Sequence, residues 1–207
     1  MKLLKSYCIG RLHELVVEHI NKYGIEVQTE NGEWTLECEP IALETPTPME
    51  EPRRSEKSNI KQNFMDIYTE NLINGSDSEF EYDYHDRLCN YFEVDQLQYI
   101  IDKLKAQPHS RRAQGITWHP PVDSKLNDCP CLQLIQCTIR NNKLEMRVVF
   151  RSNDMLLAFG ANAYALTMLQ KKIADELGLE VGTYTHIALI PHVYHKRDAK
   201  DLELMLK

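Results

Sequence analysis

The sequence predicts a mixed α/β domain, because two kinds of hydrophobic periodicity occur along it. From Leu144 to Phe150 apolar residues alternate with mostly polar ones, as in a β-strand with one buried face. Asn141-Asn142 separates this segment from a second predicted strand, Leu132–Ile139, and asparagine tolerates the positive φ of a tight turn. Other stretches repeat apolar residues at helical spacing, which indicates amphipathic helices.

The remaining elements follow from the same patterns and from the glycines and Asn-Gly pairs that end them. The stretch 40–58 is rich in proline and is expected to be a loop, in which Arg53 and Arg54 are solvated. Helices are predicted over residues 6–22, 59–73, 93–106 and 161–177, and strands over 25–29, 33–38, 116–118, 132–139, 143–150 and 184–190.

The composition limits the class of protein. With 207 residues the chain can bury a sizeable core and is expected to form one domain, 1–207. Its net charge of −7 argues against nonspecific binding to nucleic acid or to an anionic membrane. No apolar run approaches the ~18 residues that cross a bilayer, and the N-terminus turns charged too early for a signal peptide. We therefore expect a cytoplasmic protein without membrane or nucleic-acid partners.

The cysteines are expected to be reduced thiols, as is usual in the cytoplasm. Cys129-Pro130-Cys131 has a single residue between its thiols and no second pair completes a zinc site, so no metal is expected. His19 lies on the apolar face of the first predicted helix and is interpreted as a core residue with satisfied hydrogen bonds. The six cysteines are at positions 8, 38, 89, 129, 131 and 137.

The outer ends of the predicted hairpin carry its most reactive residues. Cys131 precedes the first strand and Arg151 follows the second, so antiparallel pairing brings them together. A guanidinium beside a thiol lowers the pKa of that thiol, and it can also hold a phosphate bidentately. The hairpin therefore predicts a nucleophile next to an anion site.

Three further groups are candidates for binding. Arg111-Arg112 is either solvated surface or a phosphate clamp, because the guanidinium fork matches phosphate oxygens. Asn162 lies in the first turn of the last predicted helix, where its side chain can point away from the core. His192 and Tyr194 are two residues apart and point to one side if the final strand continues.

Taken together, these motifs resemble the thymidylate synthase family over roughly Tyr82 to Tyr194. Arg151-Ser152-Asn153-Asp154, with Asn162 eight residues after the aspartate, is similar to its R-S-x-D…N signature. Pro130-Cys131, twenty residues before Arg151, resembles the Pro-Cys of its catalytic loop. Arg111-Arg112, twenty residues before Cys131, resembles the arginine pair of the family. His192-Val193-Tyr194, forty-one residues after Arg151, resembles its His-x-Tyr.

The resemblance implies catalytic roles for four residues. Cys131 would attack carbon 6 of dUMP, and the resulting enolate at carbon 5 would accept a one-carbon unit. Arg151 would support the thiolate and, with Ser152, bind the 5′-phosphate. Asp154 would contact both the base and the pterin. Tyr84 resembles the family tyrosine that helps to remove the carbon-5 proton.

The resemblance also implies how the nucleotide is recognised. Asn162 would bind the uracil edge, because an amide supplies both a donor and an acceptor; related cytosine hydroxymethylases have an aspartate there. His192 and Tyr194 would hold the deoxyribose hydroxyl. Arg111 and Arg112 would cross a two-fold axis to the phosphate in the partner's site, which makes a homodimer part of the chemistry.

For the whole molecule, the resemblance implies a three-layer sandwich around a mixed sheet, with the sheets of two subunits packed back to back. The implied reaction is the methylation of dUMP to dTMP. The donor would be 5,10-methylene-tetrahydrofolate or a methylene-tetrahydromethanopterin-type carrier, since short chains of this kind resemble archaeal members of the family.

Several positions depart from the family pattern. Leu132 replaces a histidine and Phe150 replaces a glutamine. The family's buried glutamate has no clear counterpart, although Glu70 or Asp66 could stand in for it. The tryptophan-bearing insertion and most of the residues that close over folate are missing, so the losses lie on the pterin side.

Two other functions stay open at this stage. One is hydroxymethylation of a pyrimidine nucleotide, in which water replaces the hydride because a shortened lid excludes water less well. The other is a non-catalytic, regulatory protein that binds dUMP. Proton exchange at carbon 5 would separate the enzymes from the binding protein.

Overall fold

The computed structural model describes residues 1–75 and 83–207 and shows a mixed α/β fold. The helices are α1 Ile9–Tyr23, α2 Gln62–Asn74, α3 Tyr84–Cys89, α4 Gln96–Ala106, α5 Pro120–Asp123, α6 Phe159–Leu177 and α7 Ala199–Leu206. The strands are β1 Lys2–Lys5, β2 Ile25–Gln28, β3 Trp34–Glu37, β4 Ile41–Thr45, β5 Gln114–Ile116, β6 Leu132–Arg140, β7 Lys143–Phe150, β8 Asn153–Asp154, β9 Glu180–Ala188 and β10 Pro191–Val193.

The strands form two mixed sheets. Six strands pair in the order β1-β4-β9-β7-β6-β5, and four pair in the order β2-β3-β10-β8. Helix α1 contacts β1 and β4 of the larger sheet as well as β3 and β10 of the smaller one. Helix α6 packs against β7 and β9. The two sheets are therefore joined through buried helices.

The predicted β6–β7 hairpin is confirmed. Arg140 pairs with Lys143 across a turn in which Asn141 and Asn142 have φ values of 50° and 59°. These left-handed conformations match the twist of the strands, and asparagine adopts them at low cost. At the open end Leu132 pairs with Phe150, and the Arg151 backbone N–H donates to the Cys131 carbonyl over 2.8 Å.

The alternation along β7 sorts its side chains as expected. Met146, Val148 and Phe150 are fully buried against the helices, whereas Glu145 and Arg147 lie on the other face. The helical predictions are also confirmed to within a few residues, and Gly178 ends α6 in the left-handed conformation with φ 65°.

The prediction that 40–58 is a loop is wrong in its first part. Residues 41–45 form β4, which pairs with β1 on one side and β9 on the other. Ile41 and Leu43 are completely buried. The prolines around this short apolar strand favour a loop prediction. Its partner strands are distant in the sequence, so no local pattern indicates the pairing.

Arg53 is buried rather than solvated, with 5% of its surface exposed. Its Nη2 donates to Thr167 Oγ1 over 2.9 Å and to the Tyr164 carbonyl over 3.1 Å, and its guanidinium lies 4.0 Å from the centre of the Tyr164 ring. These contacts attach the segment after β4 to α6, and they replace part of the water that the guanidinium loses. Arg53 Nε is buried without a hydrogen-bond partner among the described residues.

Helix α2 lies where it was predicted, but only some of its apolar residues enter the core. Phe64 and Ile67 are 54% and 53% exposed, while Met65 and Leu72 are buried. The sequence is rich in tyrosine over residues 80–88, and this stretch falls partly on residues 76–82, which lie outside the described residues. Within the described ranges, no helix combines the length and the apolar character that a bilayer crossing requires.

Candidate active site

A cleft of about 870 Å³ opens between α2, the start of α6 and the smaller sheet. Cys131 and Arg151 enter it from the open end of the hairpin. All the predicted site residues except Arg111 and Arg112 line this cleft. The predicted residues that line the cleft are Tyr84, Cys131, Arg151, Ser152, Asp154, Asn162, His192 and Tyr194.

Arg151 holds the loop that carries the candidate nucleophile. Its Nε donates to the Pro130 carbonyl over 3.0 Å, and its Nη2 donates to the Cys129 carbonyl over 2.7 Å. A guanidinium has five N–H donors, so these two bonds leave others that can meet an anion in the cleft. The arginine thus fixes the backbone on the N-terminal side of Cys131 while facing the same space.

Tyr84 supports the other side of the same loop. Its hydroxyl accepts a hydrogen bond of 3.1 Å from the backbone N–H of Leu132. Tyr84 is the first residue of α3, which is capped because the Asp83 side chain accepts from the Asp86 backbone N–H over 3.0 Å. The position of Tyr84 beside the backbone that follows Cys131 is therefore set by the start of a helix.

Asn162 lies in the first turn of α6 and is 8% exposed. Its Oδ1 accepts a hydrogen bond of 2.7 Å from the hydroxyl of Tyr68, which reaches across from α2. A buried amide needs such a partner to offset its lost hydration. Tyr68 was not predicted to be a cleft residue, although Tyr68 and Phe64 lie on the side of α2 that lines the cleft.

Asp154 both shapes the chain and offers a carboxylate. Its Oδ1 accepts from the backbone N–H groups of Leu156 and Leu157 over 2.9 and 3.0 Å. Its Oδ2 lies 3.4 Å from Arg197 Nη2. Burial raises the pKa of Asp154, while the backbone hydrogen bonds oppose that shift. Arg197 also lies over the Tyr194 ring, 3.7 Å from its centre.

The short strand β10 gathers three polar residues at one place. It pairs in parallel with β8, so that His192 is opposite Asp154. His192 Nδ1 lies 3.4 Å from Ser152 Oγ and 3.2 Å from the Ile190 carbonyl. The His192 and Tyr194 rings meet edge to face at 5.2 Å.

Glu37 is a cleft residue that sequence reasoning missed. It lies opposite His192 in the antiparallel pairing of β3 with β10, and both line the cleft. Thr35 Oγ1 lies within hydrogen-bonding distance of Glu37 Oε1, at 3.2 Å. By contrast, Glu70 and Asp66 are exposed and bond to Asn74 and Gln62 of their own helix. Their suggested role as the family glutamate is therefore not supported by their position.

Arg111 and Arg112 lie away from this cleft. Both are exposed, and they border a separate shallow pocket at the β5 edge of the larger sheet. The Arg112 carbonyl accepts from the Tyr99 hydroxyl over 2.9 Å, and the Arg111 carbonyl accepts from Gln136 over 3.1 Å. These contacts hold the backbone and direct no guanidinium toward the cleft of the same chain.

Fold and cleft together define an α+β protein with a thiol, an arginine and several polar side chains around one nucleotide-sized cavity. The thymidylate synthase family model matches residues 51–207. The chain therefore belongs to the thymidylate synthase family, whose members are methyltransferases that bind dUMP and a methylene-carrying reduced pterin.

Relatives in archaea agree with this assignment. A Methanocaldococcus jannaschii protein named "Putative thymidylate synthase" is 40% identical over 207 residues, which cover 96% of this chain and 93% of that protein. A protein of the same name from Methanothermobacter thermautotrophicus is 32% identical over 206 residues, covering 93% of this chain and 92% of its own length. One from Methanosarcina mazei is 43% identical over 132 residues, covering 63% and 61%.

Proposed function

We propose that this protein methylates dUMP at carbon 5 to give dTMP, through a covalent bond between Cys131 and carbon 6. The observation that carries the proposal is that Cys131, Arg151, Asn162 and His192 share one cleft. The first two come from the hairpin and the others from α6 and β10, so three separate parts of the fold converge on a space large enough for a nucleotide.

The chemistry begins with the Cys131 thiolate. Its sulfur adds to carbon 6, and the electrons of the carbon 5–carbon 6 double bond move to the carbonyl at carbon 4. Carbon 5 then attacks the methylene group of the donor and loses its proton on the side of Tyr84. The reduced pterin leaves and a methylene group remains on carbon 5. The pterin then donates a hydride to this methylene and is itself oxidised to the dihydro form, and the carbon–sulfur bond breaks to release the Cys131 thiolate.

The nucleotide is proposed to lie with its phosphate toward Arg151 and Ser152. Asn162 would bind the uracil edge; in support, Asn162 lines the cleft and its Oδ1 accepts a hydrogen bond from Tyr68, which lines the same cleft. An amide in place of a carboxylate favours uracil over cytosine. His192 and Tyr194 would hold the deoxyribose. The donor is a methylene-carrying reduced pterin of the folate or methanopterin type.

We further propose that the functional unit is a homodimer with the two larger sheets back to back. One apolar row crosses all six strands on the face opposite the helices. Leu3 and Ile116 at its ends are 48% and 43% exposed. The row consists of Leu3, Ala42, Ile187, Val149, Leu134 and Ile116. A dimer would bury it and bring Arg111 and Arg112 toward the partner's phosphate.

The test is tritium release from dUMP labelled at carbon 5, with and without each type of reduced pterin. Donor-dependent release in the intact protein is expected. Cys131→Ser should retain dUMP binding and lose release, because an alcohol has no accessible anion at neutral pH. Release that persists in Cys131→Ser would remove the mechanism. Tight dUMP binding without release for any donor would favour a regulatory protein.

A further inference from the structure

A second cluster of reactive side chains lies outside the cleft. It consists of His19 on α1 and of Cys38 and Glu39, which follow β3. One nitrogen, one sulfur and one carboxylate oxygen of these residues all lie within 4.8 Å of one another. His19 Nε2 is 4.0 Å from the nearest Glu39 oxygen.

His19 Nε2 has no hydrogen-bond partner among the described residues, although it is buried. The His19 side chain keeps only 10% of its exposed surface, and its ring packs 4.8 Å from the ring of Tyr23. The interpretation of His19 as a satisfied core histidine is therefore wrong. An unpaired buried nitrogen costs about 1–3 kcal/mol, so a bound group that it can contact would be favoured.

The cluster offers one imidazole nitrogen, one sulfur and one carboxylate oxygen to a metal ion. Burial lowers the pKa of His19, the charge of Glu39 opposes that shift, and the charge of Lys2 adds to it. A neutral imidazole has a lone pair to share with a metal ion. Burial and Glu39 raise the pKa of the Cys38 thiol to about 11. A metal that binds the sulfur must therefore displace a proton, and its affinity will rise with pH.

We propose that His19 Nε2, Cys38 Sγ and the Glu39 carboxylate bind one Zn²⁺ ion, with water as the fourth ligand. Nitrogen, thiolate and carboxylate ligands are those that zinc takes, at distances of about 2.0–2.3 Å. The three atoms need to approach one another by roughly 1 Å to reach tetrahedral spacing. A thiolate ligand disfavours Mg²⁺ and Ca²⁺, which prefer oxygen.

Such an ion would connect α1 to the turn between β3 and β4. Glu37 lies one residue before Cys38 and lines the nucleotide cleft. Successive side chains of a strand point to opposite faces, so the metal would anchor β3 from behind that cleft. Because the ion binds the folded chain, it should also stabilise the fold by mass action.

The test is a Co²⁺ titration of the full chain carrying Cys129→Ser and Cys131→Ser, which removes the thiols of the nucleophile loop. One equivalent of Co²⁺ should produce tetrahedral visible bands and a thiolate charge-transfer band, and Zn²⁺ should abolish both. Adding Cys38→Ser or His19→Gln should remove the charge-transfer band and weaken Zn²⁺ binding at least about tenfold.

Cys89→Ser changes a half-buried thiol outside the cluster and serves as the matched control, so its spectrum should equal that of the parent. Thermal unfolding with Zn²⁺ should show a rise in Tm for the parent and a smaller rise for Glu39→Gln. Because the Glu39 side chain is exposed, this substitution should not disturb folding, and the smaller rise would report weaker metal binding. No uptake of either metal, or equal uptake in Cys38→Ser and His19→Gln, would overturn the proposal.

Discussion

At the scale of single residues, Glu37 shows how strand register places a charge. It faces the cleft beside His192, one of the two residues proposed to hold the deoxyribose. A carboxylate at this place can accept a hydrogen bond from a sugar hydroxyl, and the interaction is charge-assisted. Thr35 Oγ1 lies 3.2 Å from the carboxylate and helps to orient it.

Glu37→Gln is therefore expected to weaken dUMP binding. A hydrogen bond to a charged group contributes about 1.5–3 kcal/mol, so the dissociation constant should rise roughly tenfold to a hundredfold. The rate at saturating dUMP should change less than the affinity. Isothermal calorimetry with dUMP and tritium release at high dUMP measure the two effects.

Glu30→Gln is the control for this change, because Glu30 is an exposed carboxylate that lines the same cleft. An equal loss of affinity in Glu30→Gln would show that general charge is responsible and not the position of Glu37. Unchanged binding in Glu37→Gln would contradict the sugar contact.

At the scale of elements, a buried ion pair joins α3 to α5. Arg87 Nη2 and Nη1 contact the two oxygens of Asp123 at 2.7 and 3.1 Å, and both side chains are almost completely buried. The Arg87 guanidinium also lies 4.0 Å from the centre of the Tyr91 ring. Since Tyr84 begins α3 and the loop that carries Cys131 follows α5, this pair connects two elements that flank the cleft.

Arg87→Met should destabilise the protein by about 3–5 kcal/mol, because it leaves the Asp123 carboxylate buried without its partner. Urea unfolding followed by circular dichroism measures the change. The double variant Arg87→Met with Asp123→Leu should recover much of the loss, since no unpaired charge remains.

Lys171→Met provides the comparison on an exposed pair. Lys171 Nζ lies 2.6 Å from Asp175 on the surface of α6. Its loss should cost about 0–1 kcal/mol. A similar cost for the Arg87 and Lys171 variants would show that burial adds nothing to the ion pair.

At the scale of the whole molecule, two buried histidines connect stability to pH. Burial lowers the pKa of His13 to about 4 and that of His186 to about 3. The Nε2–H of His13 donates a hydrogen bond of 3.0 Å to the Leu156 carbonyl in the core. His186 Nδ1 lies 3.0 Å from the Tyr184 hydroxyl, and its Nε2 lies 2.8 Å from Asn153 Oδ1.

The free energy of unfolding should therefore fall as the pH drops below about 6.5, the pKa of histidine in an unfolded chain. Below that pH the unfolded state binds more protons than the folded state, and each histidine should cost about 2 kcal/mol by pH 5. Asp154, with its raised pKa, acts in the opposite direction.

Urea titrations from pH 7.5 to pH 5 measure this slope, and His13→Gln should reduce it. His109→Gln, at an exposed position, should leave it unchanged. A stability that does not vary over this range would show that the buried histidines are protonated without cost.

The proposed dimer is tested by mixing subunits. Arg111→Ala and Cys131→Ser proteins should each lack activity and should regain about a quarter of it when subunits exchange, since half of the dimers are mixed and each has one intact site. Tritium release measures the recovery. Mixing two samples of Cys131→Ser is the control, and absence of complementation would argue against a shared site.

Much of the fold could be predicted from the sequence because it depends on short-range patterns. The hairpin with its Asn141-Asn142 turn, the end of α6 at Gly178 and the approach of Cys131 to Arg151 follow from spacing within about twenty residues. Strand β4 was missed because its burial depends on β1 and β9. Arg53 was misread because its partners lie on α6.

The sequence by itself thus determined which chemical groups the chain carries and in what order they occur, and its motifs were enough to indicate the family. Only the tertiary structure decided that Glu37 lies beside His192, that Tyr68 bonds to Asn162, and that His19 meets Cys38 and Glu39. The physical reason is that periodicity fixes side-chain direction within one element. Contacts between distant elements depend instead on strand register and on how the helices pack against the sheets.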